Sequence, residues 1–207
     1  MSYDSIIFDL DGTLWDSVDE IVETWNSVID RYPGLRPPIT RKEQESVMGL
    51  QMDEIARRLF PKESLEHQTA LMAECVKAEN EFLNDHGATL YPRVPETLLS
   101  LKKKHRLFIV SNCQSGYIEA FLHAHNLEPL FDGFLCYGDT GHGKSDNIAK
   151  VVQQYGLQRP VYVGDTQGDA LAAERAGVPF VFARYGFGRV ERFEAAVDAF
   201  QDLKSLL

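Results

Sequence analysis

The sequence predicts an α/β protein: a doubly wound parallel sheet with an all-helical unit inserted near its start. Three observations carry that expectation. Short apolar runs rich in β-branched and aromatic residues recur at 5–8, 107–110, 161–163 and 180–183, and runs of that length bounded by polar or turn residues read as buried strands. After Gly87 these runs alternate with helical patterns, the signature of strand–helix–strand crossovers. From Asp16 to about Gly87 strand signals disappear, and apolar residues return at helical spacing.

The first run ends in Asp9-Leu10-Asp11-Gly12-Thr13. Side chains alternate along a strand, so Asp9 and Asp11 leave the chain on the same side. Two like charges that close are costly unless they share a cation or a proton. Such a strand end asks for a hard cation such as Mg²⁺, whereas the plainer reading is an exit into an acidic turn. Ile21, Val22, Trp25, Val28, Ile29 and Tyr32 then outline a helix, which Pro33, Gly34, Pro37 and Pro38 break. Thr40-Arg41-Lys42-Glu43 has the form of a capping box, and helices are expected over about 52–60 and 65–85. The expected division is a core of residues 1–14 and 88–207 around a helical insert of 15–87. In the second half, helices at about 95–103, 115–125, 145–155 and 169–176 alternate with strands at 107–112, 134–137, 161–165 and 180–183. Ligands of such sheets gather at the carboxyl ends of the strands. Asp9, Asp11, Ser111 and Asp165 fall at those ends, and Lys144 lies in the loop after another strand.

Composition narrows the function classes. With 207 residues, 44% hydrophobic and 25% charged, the chain is long enough to bury a proper core. A net charge of −10 argues against a nucleic-acid or anionic-membrane partner, both of which want a basic face. No apolar run approaches the ~18 residues of a membrane span, and no basic and apolar leader opens the chain. Cys75, Cys113 and Cys136 are odd in number and far apart, which suits a reducing cytoplasm and offers no zinc site. The expected partner is a small molecule; monomer and homodimer stay equally open.

Four polar signals share one edge of the expected sheet: Asp9-x-Asp11-Gly12-Thr13, Ser111 after Phe108-Ile109-Val110, Gly143-Lys144-Ser145 before a helix, and Gly164-Asp165-Thr166-Gln167-Gly168-Asp169. In this order and spacing they resemble the four motifs of the haloacid dehalogenase superfamily of phosphatases, with a Rossmann-like core over 1–14 and about 88–207 and a helical cap between the first two motifs. Ala173-x-x-Ala176-Gly177 and Tyr185-Gly186-Phe187-Gly188 add to the likeness, which is greatest to the phosphoglycolate phosphatase-like branch. The resemblance implies that Asp9 is the nucleophile and becomes an aspartyl-phosphate. It implies that Asp11 is the general acid and base, its pKa raised by crowding from Asp9, Asp165 and Asp169 and lowered by the metal. Mg²⁺ would be held by Asp9, the Asp11 backbone carbonyl and Asp165, with Asp169 acting through water or through a neighbouring ligand. Ser111 and Lys144 would grip the phosphoryl oxygens, with Gly12, Thr13 and Asn112 completing the anion cradle.

Other readings compete. Gly138-Asp139-Thr140-Gly141-His142-Gly143-Lys144-Ser145 satisfies the G-x-x-x-x-G-K-S pattern of nucleotide hydrolases, but it leaves Asp9, Asp11, Ser111 and Asp169 without a role and puts Asp139 beside the phosphates. A sugar phosphomutase would use the same core and differ in its cap contacts. A dehalogenase needs neither Asp11 nor Asp165, and a non-enzymatic module would not need an intact site. For the substrate, the cap offers Arg41, Arg57 and Arg58, although basic residues on helices are mostly solvated charges, and a Gly49-Leu50 loop facing the site. Hinges are expected near 14–16 and 87–91.

Overall fold

The computed structural model describes residues 3–207. Six strands form one parallel sheet in the order β5-β4-β1-β6-β7-β8. They are β1 (Ser5–Phe8), β4 (Arg106–Ser111), β5 (Gly133–Cys136), β6 (Pro160–Gly164), β7 (Phe180–Ala183) and β8 (Ala195–Val197). Consecutive residues of the central strands enter different cores, as the two-residue repeat of a strand requires. Ile6, Phe8, Leu107, Ile109, Val161 and Val163 join one cluster with Leu98 of α5 (Val94–Lys102) and Phe121 of α6 (Tyr117–His125). Ile7, Phe108, Val110 and Tyr162 join another with Val151 of α8 (Lys144–Tyr155) and Ala173 of α9 (Gln167–Ala176). Burial on both faces explains why these strands read as unbroken apolar runs.

The insert is built from α1 (Val18–Ile29), α2 (Arg41–Glu45), α3 (Met52–Leu59) and α4 (Leu65–His86). Ile21, Trp25, Val28, Ile55, Leu71 and Cys75 close a core of their own. The capping box at Thr40 forms: its hydroxyl accepts from Glu43 N, and the Glu43 carboxylate accepts from Thr40 N. The two chain crossings between insert and sheet are tied together, because β2 (Trp15–Asp16) and β3 (Thr89–Leu90) pair antiparallel as a short ribbon. Trp15 and Leu83 of α4 pack in the same cluster as the sheet, so the junction is packed as well as hydrogen-bonded.

Several short elements are not legible in the sequence, and those that bear on the sheet, the junction and the competing motif have physical reasons. β8 is three residues with two alanines, which carry little strand preference. The β2–β3 ribbon is two residues on each side, too short for any periodicity. Tyr137–Thr140, which takes in the first three residues of the nucleotide-hydrolase pattern, is a helical turn, α7, where that reading needs an open loop. Among the described residues no helix is long and apolar enough to cross a membrane.

Candidate active site

β1 lies between β4 and β6, so the connections leaving its two neighbours diverge and open a crevice over its carboxyl end. Asp9 follows β1 directly, Ser111 ends β4, Asp165 follows β6, and Lys144 begins α8. Lys144 Nζ sits 2.9 Å from Asp9 Oδ1 and donates to Asp169 Oδ1 at 2.5 Å, with all three side chains buried. Lys144 is therefore bound into the acidic cluster at the head of β1. That placement, with α7 closing the preceding turn, leaves no nucleotide-phosphate loop.

Carboxylate oxygens of Asp9, Asp165 and Asp169 lie within 4.8 Å of one another. Each has a distinct environment. Asp169 is the third residue of α9, and its Oδ2 accepts from Thr166 N at 2.9 Å and Thr166 Oγ1 at 2.7 Å while Thr166 caps the helix. Asp169 thus fixes the loop and Lys144 together. Asp165 Oδ2 accepts from Phe187 N at 2.7 Å, whereas Asp165 Oδ1 is buried without a hydrogen-bond partner. The 185–188 loop reaches Asp165 because it carries glycine. A Cβ on Gly186 would stand 2.3 Å from Gly12 O and 2.4 Å from Asp165 Cβ, and one on Gly12, whose φ is +76°, would stand 2.2 Å from Asp165 Oδ2.

The charges do not balance. Three buried carboxyls face one buried ammonium, and Asp9 and Asp165 respond as buried acids short of a counter-charge do. Burial pushes Asp9 up to about 7, with the Asp169 charge adding to the rise and Lys144 opposing it. Burial, followed by the charges of Asp169 and Asp9, holds Asp165 well above the usual carboxylate range. Burial alone would lower the Lys144 ammonium; the charges of Asp169 and Asp9 outweigh it and hold it above its ordinary value. An all-oxygen donor set with excess negative charge and an orphaned carboxylate oxygen fits a hard divalent cation such as Mg²⁺.

Asp11 stands apart from this cluster. Its Oδ1 accepts from Trp15 Nε1 at 2.8 Å, Ser17 Oγ at 2.7 Å and Tyr117 OH at 2.8 Å. Burial raises its pKa, and the Ser17, Tyr117 and Trp15 hydrogen bonds oppose the rise. Desolvation, rather than the expected crowding by Asp9, Asp165 and Asp169, is the leading cause. Trp15, Ser17 and Tyr117 were missed in the sequence. The first two lie a few residues beyond the first motif without belonging to it, and Tyr117 is 106 residues away, where no local pattern could signal it.

Asp11, Ser111, Asn112 and Tyr117 line a narrow cleft between sheet and insert. Gly49 and Leu50 line its opposite wall, and Asn112 Nδ2 donates to Gly49 O at 2.9 Å, so the 49–50 loop does face the site. Thr13 is fully buried, its Oγ1 lacks a hydrogen-bond partner, and its carbonyl accepts from Tyr185 OH at 2.9 Å. The three cap arginines do not reach the cleft. Arg41 pairs with Asp16, Asp19 and Glu45, Arg57 with Asp53, and Arg58 with Glu54, so Arg57 and Arg58 are solvated helix-surface charges and Arg41 ties α2 to the start of the insert.

Comparison with known proteins agrees with this geometry. The chain is similar to the phosphoglycolate phosphatase of Aliivibrio fischeri, 29% identical over 199 residues that cover 90% of this chain and 86% of the relative. It is equally similar to that of Vibrio cholerae, 29% over 216 residues covering 98% and 94%. The crystal structure of a predicted phosphoglycolate phosphatase from Haemophilus somnus superposes with a TM-score of 0.88 at 24% identity, over 99% of this chain and 97% of that one, which shows a shared fold. The family model for haloacid dehalogenase-like hydrolases matches residues 6–183, a span that runs from β1 to β7 and takes in Asp9, Ser111, Lys144 and Asp165, and the chain therefore belongs to that family.

Proposed function

We propose that this haloacid dehalogenase-family phosphatase is a Mg²⁺-dependent hydrolase of small phosphomonoesters that works through an aspartyl-phosphate on Asp9. The observation that supports this reading is the buried meeting of Asp9, Lys144, Asp165 and Asp169 at the head of β1. Asp9 and Asp165 would hold the metal, together with the Asp11 carbonyl, and Asp169 would act through Lys144 and the α9 turn. A divalent cation bound there neutralises charge on the transferring phosphoryl group and on the attacking carboxylate.

The chain's own groups account for the rest. An Asp9 oxygen attacks phosphorus, the phosphorus–oxygen bond to the leaving alcohol breaks, and Asp11 delivers a proton to that alcohol. Asp11 then takes a proton from water as the acyl-phosphate is hydrolysed. Lys144, Ser111 and the N–H groups following Asp9 would bind the equatorial oxygens, with Gly12, Thr13 and Asn112 shaping the cradle. Residues 15–87 would act as a cap hinged at the β2–β3 ribbon, excluding water over the reacting atoms. The same geometry would serve a mutase, and no observation favours that reading over hydrolysis.

The test is free-phosphate release from p-nitrophenyl phosphate with Mg²⁺, combined with borohydride trapping of an acyl-phosphate. Label on Asp9 is expected; turnover without any trapped acyl-phosphate would refute the covalent route.

The Asp11 hydrogen bonds give a second expected result. A hydrogen bond to the ionised carboxylate lowers its pKa, so Tyr117→Phe should raise it further and lower kcat about tenfold, from the loss of roughly one charge-assisted bond. Because Asp11 must be protonated when the alcohol leaves, the alkaline limb of the pH–rate profile should move to higher pH. An unmoved limb with reduced kcat would make Tyr117 a packing residue only.

A further inference from the structure

Beyond Asp11 the cleft sets the carboxamides of Gln44, Asn112 and Gln114 and the Glu79 carboxyl among apolar side chains, Ile21, Leu50 and Ile55 included. Gln44 and Gln114 are buried, at 2% and 7% exposure, and Gln44 Oε1, Gln114 Oε1 and Asn112 Oδ1 are buried without a hydrogen-bond partner. The orientation of Asn112 and Gln114 is fixed by the groups around them. Asn112 Nδ2 donates to Gly49 O. Asn80 Nδ2 donates to Ser115 O at 2.9 Å, which leaves Asn80 Oδ1 to accept from Gln114 Nε2 at 3.0 Å. Gln44 Nε2 rests against the Met48 sulfur at 3.6 Å. Beside them Glu79, 2% exposed, accepts from Trp25 Nε1 at 2.6 Å. Among the described residues no lysine, arginine or histidine lines this cleft, and Lys144 is turned to Asp9 and Asp169. In either protonation state Glu79 supplies no positive charge.

Buried acceptors left unpaired are costly, and a site that holds several of them selects a ligand bringing donors. We propose that the cleft selects phosphomonoesters whose leaving alcohol is not anionic and carries hydroxyl or ammonium donors, with Gln44, Glu79, Asn112 and Gln114 as its specificity-determining residues. A carboxylate on the leaving group would meet three acceptor oxygens and a carboxyl with no cation to answer it. Phosphoglycolate, after which the relatives described above are named, is then a poor substrate for this chain. The cavity is about 30 Å³, room for one or two waters, so the insert must swing outward to admit the ester. The inference rests on the hydrolase reading, and its test separates the two.

With Mg²⁺ and free-phosphate detection, kcat/KM is compared for 2-phosphoglycolate, glycerol 2-phosphate and phosphoethanolamine, with p-nitrophenyl phosphate as the reference. At least a tenfold preference for glycerol 2-phosphate or phosphoethanolamine over 2-phosphoglycolate is expected, and whichever of the two leads identifies hydroxyl or ammonium as the preferred donor. Turnover of p-nitrophenyl phosphate with 2-phosphoglycolate equal or preferred overturns the inference and leaves the hydrolase reading intact. If no ester releases phosphate, the hydrolase reading fails, and calorimetric binding of the same three esters decides the inference by the same ranking. Gln44→Lys supplies the missing cation, so kcat/KM for 2-phosphoglycolate should rise at least tenfold relative to glycerol 2-phosphate. A folded variant, checked by circular dichroism, that leaves the ratio unchanged removes Gln44 from the leaving-group wall; the wild-type ranking stands as a test even if the variant does not fold.

Discussion

Replacing Asp9 by Asn should abolish turnover, by at least about 10⁴-fold in kcat, because a nucleophile acting with partners as one unit is not replaced by any of them. The same variant should fold at least as well as the parent. Asp9 is 2% exposed, and its carboxyl is pushed up to about 7 by burial and by Asp169, so its ionised form works against the fold when no cation is bound. An amide of equal size removes that charge and keeps an oxygen for Lys144. The expected pair of results is therefore lost phosphate release together with an unchanged or raised melting temperature in metal-free buffer at pH 8. Simple unfolding would lower both. Residual activity above about one part in a hundred would shift the nucleophile's role to another group, such as Asp165, whose Oδ1 is unpaired in the same cluster.

The parts of this site that sequence could show are those in which one residue type at one strand end has a single chemical use. Asp9, Ser111, Lys144 and Asp165 close or follow buried strands or open a helix, so their placement follows from hydrophobic periodicity and parallel topology. The resemblance added their roles. What stayed hidden depends on tertiary packing. The carboxamides of Gln44 and Gln114 are ordinary surface residues by composition, and their burial follows from the docking of the insert on the sheet. Glu79 sits in a helix whose polar residues are evenly spread, and what marks it are contacts with residues distant in sequence, among them Trp25, 54 residues away. The arginines, by contrast, were legible. Arg57 and Arg58 each have an acid four residues earlier, a helix-surface pairing that was present in the sequence and favours the solvated reading. The cause of the Asp11 shift was also out of reach, since crowding is visible as sequence spacing while desolvation is a property of the finished fold.

Magnesium should stabilise this protein strongly at pH 8 and hardly at all at pH 5. In the metal-free fold the Asp9 carboxyl is raised from 3.8 to about 7. A carboxyl raised on folding contributes stability that is fully present below its unfolded pKa and is lost as pH climbs through the folded one. The metal-free protein should therefore lose stability between about pH 4 and pH 7, by up to about 4 kcal/mol for Asp9 alone. Asp165, shifted in the same direction, adds to the loss. A divalent cation binds the ionised carboxylates and has little to hold when they are protonated, so its stabilisation should grow over the same interval. For a chain of this size the gain at pH 8 corresponds to a rise of roughly 10 °C in melting temperature, against a degree or two at pH 5. Glu79, which burial pushes up to about 8, loses stability in the same sense as pH rises, but it lies outside the acidic cluster and Mg²⁺ should not restore its share. The difference between melts with and without Mg²⁺ isolates the cluster, and Asp9→Asn should shrink that difference at pH 8. A Mg²⁺-induced shift of equal size at pH 5 and pH 8 would place the cation somewhere other than Asp9 and Asp165.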